Sequence, residues 1–295
     1  QREFSGNSFH LHTYMGVYEI RDRDEAVSIM VDKANIAADT IKNNYDCCVA
    51  YYDEHLLEIS IEQRRLLGEF EPALQNDEFV MYLQPQVKRD GAAKGAEALV
   101  RWVHPSRGIL TPYAFIDILE NAGLIYKLDL YIWEKAAQKL AEWKEKGYGS
   151  YHISVNISTK DFYIIDIYET FTGLINKYGI AASNLHLEIT ETTLMTDFEK
   201  NMNIIHKLQG VGFRVEIDDF GSGYSSLNML KDISADVLKI DMGFLRKSEN
   251  EVKGQDILES IITLAGKIGM DVITEGVETK KQLDMLTMMG CHEFQ

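Results

Sequence analysis

From Phe79 onward the chain repeats one pattern, a short apolar or alternating run followed in most cases by a helical stretch. The strand-like runs are FVMYLQPQV, AEALVRWV, HISVNIS, LHLEIT, FRVEIDDF, VLKIDM and DVITEGV, and an eighth begins at HEFQ. Helical segments separate most of them, among them LDLYIWEKAAQKLAEWKEKG, FEKNMNIIHKLQGVG and DILESIITLAGKIG. The latter two close on glycine, as helix C-termini commonly do. Repeated strand-then-helix units demand parallel strands joined by right-handed crossovers, and eight such strands suit a closed α/β barrel, (β/α)8. A doubly wound open sheet is the alternative.

Period-two alternation places the side chains. In LHLEIT, Leu185, Leu187 and Ile189 share one face while His186, Glu188 and Thr190 share the other. In HISVNIS, Ile153, Val155 and Ile157 oppose Ser154, Asn156 and Ser158. Apolar faces meet the helices, so the polar faces point into the barrel, with Arg214, Glu216 and Asp218 on one strand and Lys239 and Asp241 on another. An antiparallel sheet with one wet face would alternate in the same way, but the intervening helices argue against it.

Residues 1–60 read differently. SFHLHTYMGVYEI suggests a strand or hairpin, EAVSIMVDKANIAADTIKNN an amphipathic helix and CCVAYYD a short strand, together half of a small α/β domain. EHLLEISIEQRRLLGEFEPALQND is rich in helix formers and predicts a connecting helix, with residues 61–76 as the linker and 77–295 as the barrel. A net charge of -16 excludes a broad nucleic-acid or anionic-membrane surface, so an anionic substrate would need local cations. No apolar run is long enough for a membrane span, and the polar start QREFSGNSFH lacks a signal-peptide pattern. Cys47, Cys48 and Cys291 read as reduced thiols, which favours a cytoplasmic location. Tethering by upstream segments stays open.

Glu97, Asn156, Glu188, Asp218, Asp219, Lys239 and Glu275 lie in or at the end of different strands. In a parallel barrel such strand ends converge at one face. Carboxylates packed together repel unless cations neutralise them, so the set points to a bound divalent metal. Carboxylate and amide oxygens suit Mg²⁺ or Mn²⁺, one ion or two, and the eight histidines show no zinc spacing. Asp218 and Asp219 would both reach metals only if the strand bends between them. Taken singly, each residue also has a bland reading: a salt-bridged Glu, a turn at Asp-Asp, a snorkelling Lys239.

The motifs LQPQV, Glu97-Ala98-Leu99 within EALVRW, VNIS, LEITET, DDFGSGYSSL, LKID, EGVE and terminal Gln295, in this order, make residues 77–295 resemble the EAL family of cyclic di-GMP phosphodiesterases. The resemblance implies a TIM-like barrel, usually dimeric, that hydrolyses cyclic di-GMP to linear pGpG with Mg²⁺ or Mn²⁺. It implies Glu97, Asn156, Glu188 and Asp218 as ligands of one metal, and Asp219 and Glu275 as serving a second. Lys239 and Glu275 would act on the attacking water, and Gln84, Arg101, Glu278 and Gln295 would contact substrate. Glu191 would hold the loop after Asp219, in which Gly221 and Gly223 permit movement. The other reading of the same family is a receptor that binds cyclic di-GMP without hydrolysing it.

Two residues depart from the family pattern without removing a ligand: Leu83, where Tyr is common, and Thr274, where Ala is common. The chain stops at Gln295, where the family continues, so the expectation is a barrel left incomplete at its C-terminal end. Residues 8–60 more weakly resemble the C-terminal part of a GGDEF domain, in degenerate form and without its signature loop. The letters LGEF at 67–70 fall in the linker helix.

Overall fold

The computed structural model describes residues 2–4, 7–9, 13–42, 47–221, 233–241 and 251–295. The chain forms two compact units, residues 1–72 and 73–295. In the first, β1 (Arg2–Phe4) and β2 (Asn7–Phe9) pair antiparallel. Then β3 (Met15–Val17), α1 (Val27–Asp39) and β4 (Val49–Tyr51) make a β-α-β unit with β3 and β4 parallel. The helix α2 (Glu54–Gln75) starts ahead of residue 61, where Asp53 Oδ1 accepts the Leu56 N–H at 3.0 Å, and it contains the LGEF letters.

In the second unit the strands are β5 (Phe79–Lys88), β6 (Ala93–His104), β7 (Gly108–Leu110), β8 (His152–Asn156), β9 (Leu185–Thr190), β10 (Arg214–Asp218), β11 (Val237–Asp241), β12 (Asp271–Glu275) and β13 (Glu293–Phe294). Around them lie α3 (Ile116–Ala122), α4 (Ile125–Glu145), α5 (Asp161–Ile164), α6 (Ile167–Tyr178), α7 (Glu191–Thr196), α8 (Phe198–Val211), α9 (Glu251–Lys267) and α10 (Lys280–Met288). The sheet runs β5-β13-β12-β11-β10-β9-β8-β6, and β6 pairs back onto β5, so eight strands close a TIM-like barrel; β7 hangs on the far end of β6.

Seven barrel strands are parallel, but β5 is antiparallel to both of its neighbours, β6 and β13. The cause is local. Between β5 and β6 the sequence has room for a turn only: Asp90 Oδ1 accepts the Ala92 N–H at 3.0 Å, and Gly91 takes φ 81°. The expectation that a barrel ending at Gln295 stays open is corrected by β13. Its two residues pair parallel with Ile273 and Thr274 and antiparallel with Lys88 and Val87, which is enough to close the ring.

Ile153, Val155, Leu185, Leu187, Ile189, Val215, Ile217, Leu238 and Ile240 are all buried, forming the strands' contribution to the core under the helices. Trp133, hydrogen-bonded to Asn156 O at 2.9 Å, packs on Phe171, which meets Phe213 edge-on. Helix α4 is thereby fixed against the end of β8, the strand that carries Asn156.

Candidate active site

The inward residues of β6, β8, β9, β10, β11 and β12 meet at the C-terminal ends of the parallel strands, around Lys239. Its side chain is 1% exposed. Its Nζ lies 3.0 Å from Glu97 Oε2, 3.0 Å from Glu188 Oε1, 3.4 Å from Asp218 Oδ1 and 2.6 Å from Glu275 Oε1. Asn156 Nδ2 donates to Glu97 Oε1 at 3.1 Å, and Gln295 Nε2 donates to Glu97 Oε2 at 2.5 Å. Six residues expected from the sequence thus surround Lys239 or hold its Glu97 partner.

One ammonium serves four carboxylates, and the titration behaviour follows. Burial would raise Glu97, but Lys239, Gln295 and Asn156 outweigh it and hold the carboxyl below its ordinary value. Burial dominates at Glu188 and drives it well above the carboxylate range, against the pull of Lys239 and with the repulsion of Glu97, Glu216 and Asp218. Asp218 is raised by burial against the same lysine, and Glu275 is pushed up to about 7. Lys239 would be lowered by burial, yet Glu188, Glu97, Asp218 and Glu275 raise it well above the ordinary lysine.

Glu188 Oε2 is buried and has no hydrogen-bond partner, and Glu188 Oε1, Asp218 Oδ1 and Glu275 Oε1 have none beyond the ion pair with Lys239. A ring of all-oxygen donors with surplus negative charge and unfilled lone pairs fits a hard divalent cation.

The remaining expected residues lie around this ring. Asp219 is exposed, with φ 55°, so the chain does bend between the two aspartates, and the Asp219 N–H and charge both act on Asp218. Gln84 stands opposite Glu97 in the β5–β6 register. Arg101 lies further along β6, its guanidinium 5.7 Å from the ring centre of Tyr82. Glu278 is exposed after β12, its N–H donating to Gln282 Oε1 at 3.0 Å. Glu191 opens α7, and Gly221 has φ 94°. Gly223 lies outside the described residues.

Sequence reasoning assigned no role to a second polar layer, one step deeper in the barrel: Gln86, His152, His186 and Glu216, all buried. His152 Nε2 contacts Gln86 Oε1 at 2.7 Å, and His186 lies 2.5 Å from Glu216 Oε1 through Nδ1 and 3.2 Å from Ser183 O through Nε2. Burial lowers His152 to about 3 and keeps it neutral. Glu216 would be raised by burial, but the hydrogen bond and charge of His186 hold it well below its ordinary value. His152, His186 and Glu216 are close enough to hold a metal ion. The two rings, however, stack 3.8 Å apart with planes at 3°, so their lone pairs lie in parallel planes and do not converge. The signal for this layer was the alternation itself: His186 and Glu216 each precede a ring carboxylate by two residues.

Beside Asn156 and Thr190 a cavity of about 320 Å³ is walled by Leu99, Trp133 and Ile132, with Glu120 and Asp129 among its lining. Burial, with Asp161 and Glu120 nearby, raises Asp129 well above the carboxylate range.

The sequence matches the profile of the family described as EAL domain over residues 68–295. It is 32% identical over 260 residues to the "Bifunctional diguanylate cyclase/cyclic di-GMP phosphodiesterase MucR" of Pseudomonas aeruginosa, covering 88% of this chain and 37% of the relative. It is 32% identical over 223 residues to the "Cyclic di-GMP phosphodiesterase PdeR" of Escherichia coli, covering 76% of this chain and 34% of the relative. The chain therefore spans little more than a third of the length of these relatives. The solved structure "PaMucR Phosphodiesterase, c-di-GMP complex" is similar with a TM-score of 0.74 at 34% identity, over 78% of this chain and 94% of that one.

Proposed function

The chain belongs to the EAL domain family, and from that premise we propose that its barrel hydrolyses cyclic di-GMP to linear pGpG with Mg²⁺ or Mn²⁺. The observation that carries the reading is the closure of four carboxylates on one buried lysine, with oxygens left unpaired. Glu97, Asn156, Glu188 and Asp218 would hold one ion, and Asp219 and Glu275 a second. Bound there, the ions would lower the pKa of a water and offset charge developing on the phosphoryl oxygens.

The chain's own groups supply the rest. Glu275, 2.6 Å from Lys239 at the end of β12, is the group placed to take a proton from the attacking water. The Lys239 ammonium stays charged and offers donors to the attacking water or to a phosphoryl oxygen. Water adds to phosphorus and the bond to the 3′ oxygen breaks. One water proton goes to the base and is returned, directly or through solvent, to the departing 3′ oxygen, while the other stays with the new 5′ phosphate or is released to solvent, leaving a 5′ phosphate and a 3′ hydroxyl. Arg101, at the β5–β6 wall, supplies a charge-assisted contact to the second phosphate, and Gln84 and Glu278 flank the substrate. The cavity beside Asn156 suits a base, with Glu120 and Asp129 as partners for the donor edge of guanine.

A dimer through the barrel and action in the cytoplasm belong to the same proposal. No helix among the described residues is long and apolar enough to cross a membrane. The β-α-β arrangement of residues 15–51 is compatible with the proposed GGDEF-like origin of the first unit.

The test is chromatography of cyclic di-GMP incubated with the protein in Mg²⁺, in Mn²⁺ and in EDTA. Metal-dependent pGpG is expected. Intact substrate in all three, with binding by calorimetry, would instead make the chain a receptor.

A further inference from the structure

The deeper polar layer is connected to the carboxylate ring through one side chain, and the hydrogen-bond directions can be assigned from the ring downward. Glu97 Oε2 can only accept, so the Gln295 amide presents Nε2 to it and turns Oε1 away. That oxygen accepts from Gln86 Nε2 at 3.0 Å, which turns Gln86 Oε1 toward His152 Nε2 at 2.7 Å. His152 must then carry its proton on Nε2. Every donor in the series His152, Gln86, Gln295 points toward the carboxylate, and bonds aligned in this way polarise one another.

Gln86 is 0% exposed. The Gln295 backbone is fixed separately, its N–H donating to Thr274 O at 2.9 Å and its carbonyl accepting from Val277 N at 3.3 Å. What orients its amide is therefore Gln86 on one side and Glu97 on the other.

We propose that Gln86, backed by His152, is a positioning residue that holds the Gln295 amide, and through it the Glu97 carboxylate, in the orientation that takes a divalent cation. The inference rests on the reading of Glu97 as a metal ligand. Groups that orient metal ligands commonly change affinity by roughly 10–100-fold when removed.

Calorimetric titration of the full chain with Mn²⁺, alongside melting of the metal-free protein, tests it. Gln86→Met keeps the volume and removes both bonds; His152→Phe keeps the stacked ring and removes the donor behind Gln86. Gln86→Met should weaken Mn²⁺ binding about tenfold and His152→Phe by a smaller factor. Neither should add to the loss caused by Gln295→Ala. Turnover of Gln86→Met should return at saturating Mn²⁺, which a folding defect would not allow. Mn²⁺ binding within about twofold of wild type in both variants, whatever their melting temperatures, overturns the inference while leaving the metal reading intact. A wild-type chain that binds no Mn²⁺ overturns both.

Discussion

At the scale of single residues, the site is a charge imbalance waiting for a cation. Removing Glu97 takes away the carboxylate that Lys239, Asn156 and Gln295 all hold, so Glu97→Ala should abolish metal-dependent turnover in the chromatographic assay. Lys239→Ala should lower kcat by roughly 10²–10⁴-fold with a smaller change in substrate affinity, the pattern of a group acting on the reacting water. Metal and proton compete for Glu275. Because its folded pKa is raised to about 7, the metal-free carboxyl is largely protonated below that pH. Glu188 is raised as well, so Mn²⁺ affinity should fall by at least about tenfold per pH unit below pH 7. A flat calorimetric profile from about pH 5.5 to about pH 8 would remove Glu275 from the ion's ligands. The ring residues were legible because each is a polar residue on an alternating strand that the helices force inward. Gln86 and His152 were not, since their link depends on the register that sets Gln86 beside Gly95 and Gly95 beside His152 across β5, β6 and β8, which no single segment specifies.

At the scale of elements, the instructive strand is β5. Its reversal is written in Asp90-Gly91, a hairpin signal that the general rule of parallel strands obscured. The closing strand β13 is two residues long, too short for any periodicity to announce it. Packing between β6 and β8 explains Gly95: a Cβ there would lie 2.4 Å from the His152 imidazole. Gly95→Ala should displace that ring and lower stability by about 1–3 kcal/mol, measured by urea denaturation. By contrast, Asp166 caps α6 by accepting the Glu169 N–H at 3.0 Å, away from the ring residues in sequence and in hydrogen bonding. Asp166→Ala should cost about 1 kcal/mol and leave kcat unchanged.

At the scale of the whole molecule, the residue 73–295 unit contains every strand of the barrel and every residue of the ring. A fragment of residues 53–295, keeping α2 and its Asp53 cap, should fold and hydrolyse cyclic di-GMP within about twofold of the full chain, as expected for a unit with its own core. The strand-helix alternation made the barrel readable from sequence, whereas the extent of α2 depended on the cap at Asp53, which propensity alone does not locate. The central claim is that the carboxylates gathered on Lys239 are a divalent-metal centre, and crystals soaked in Mn²⁺ test it most directly through anomalous scattering. The account predicts a peak among Glu97, Asn156, Glu188 and Asp218. An empty map there, at a Mn²⁺ concentration that supports turnover, would contradict it.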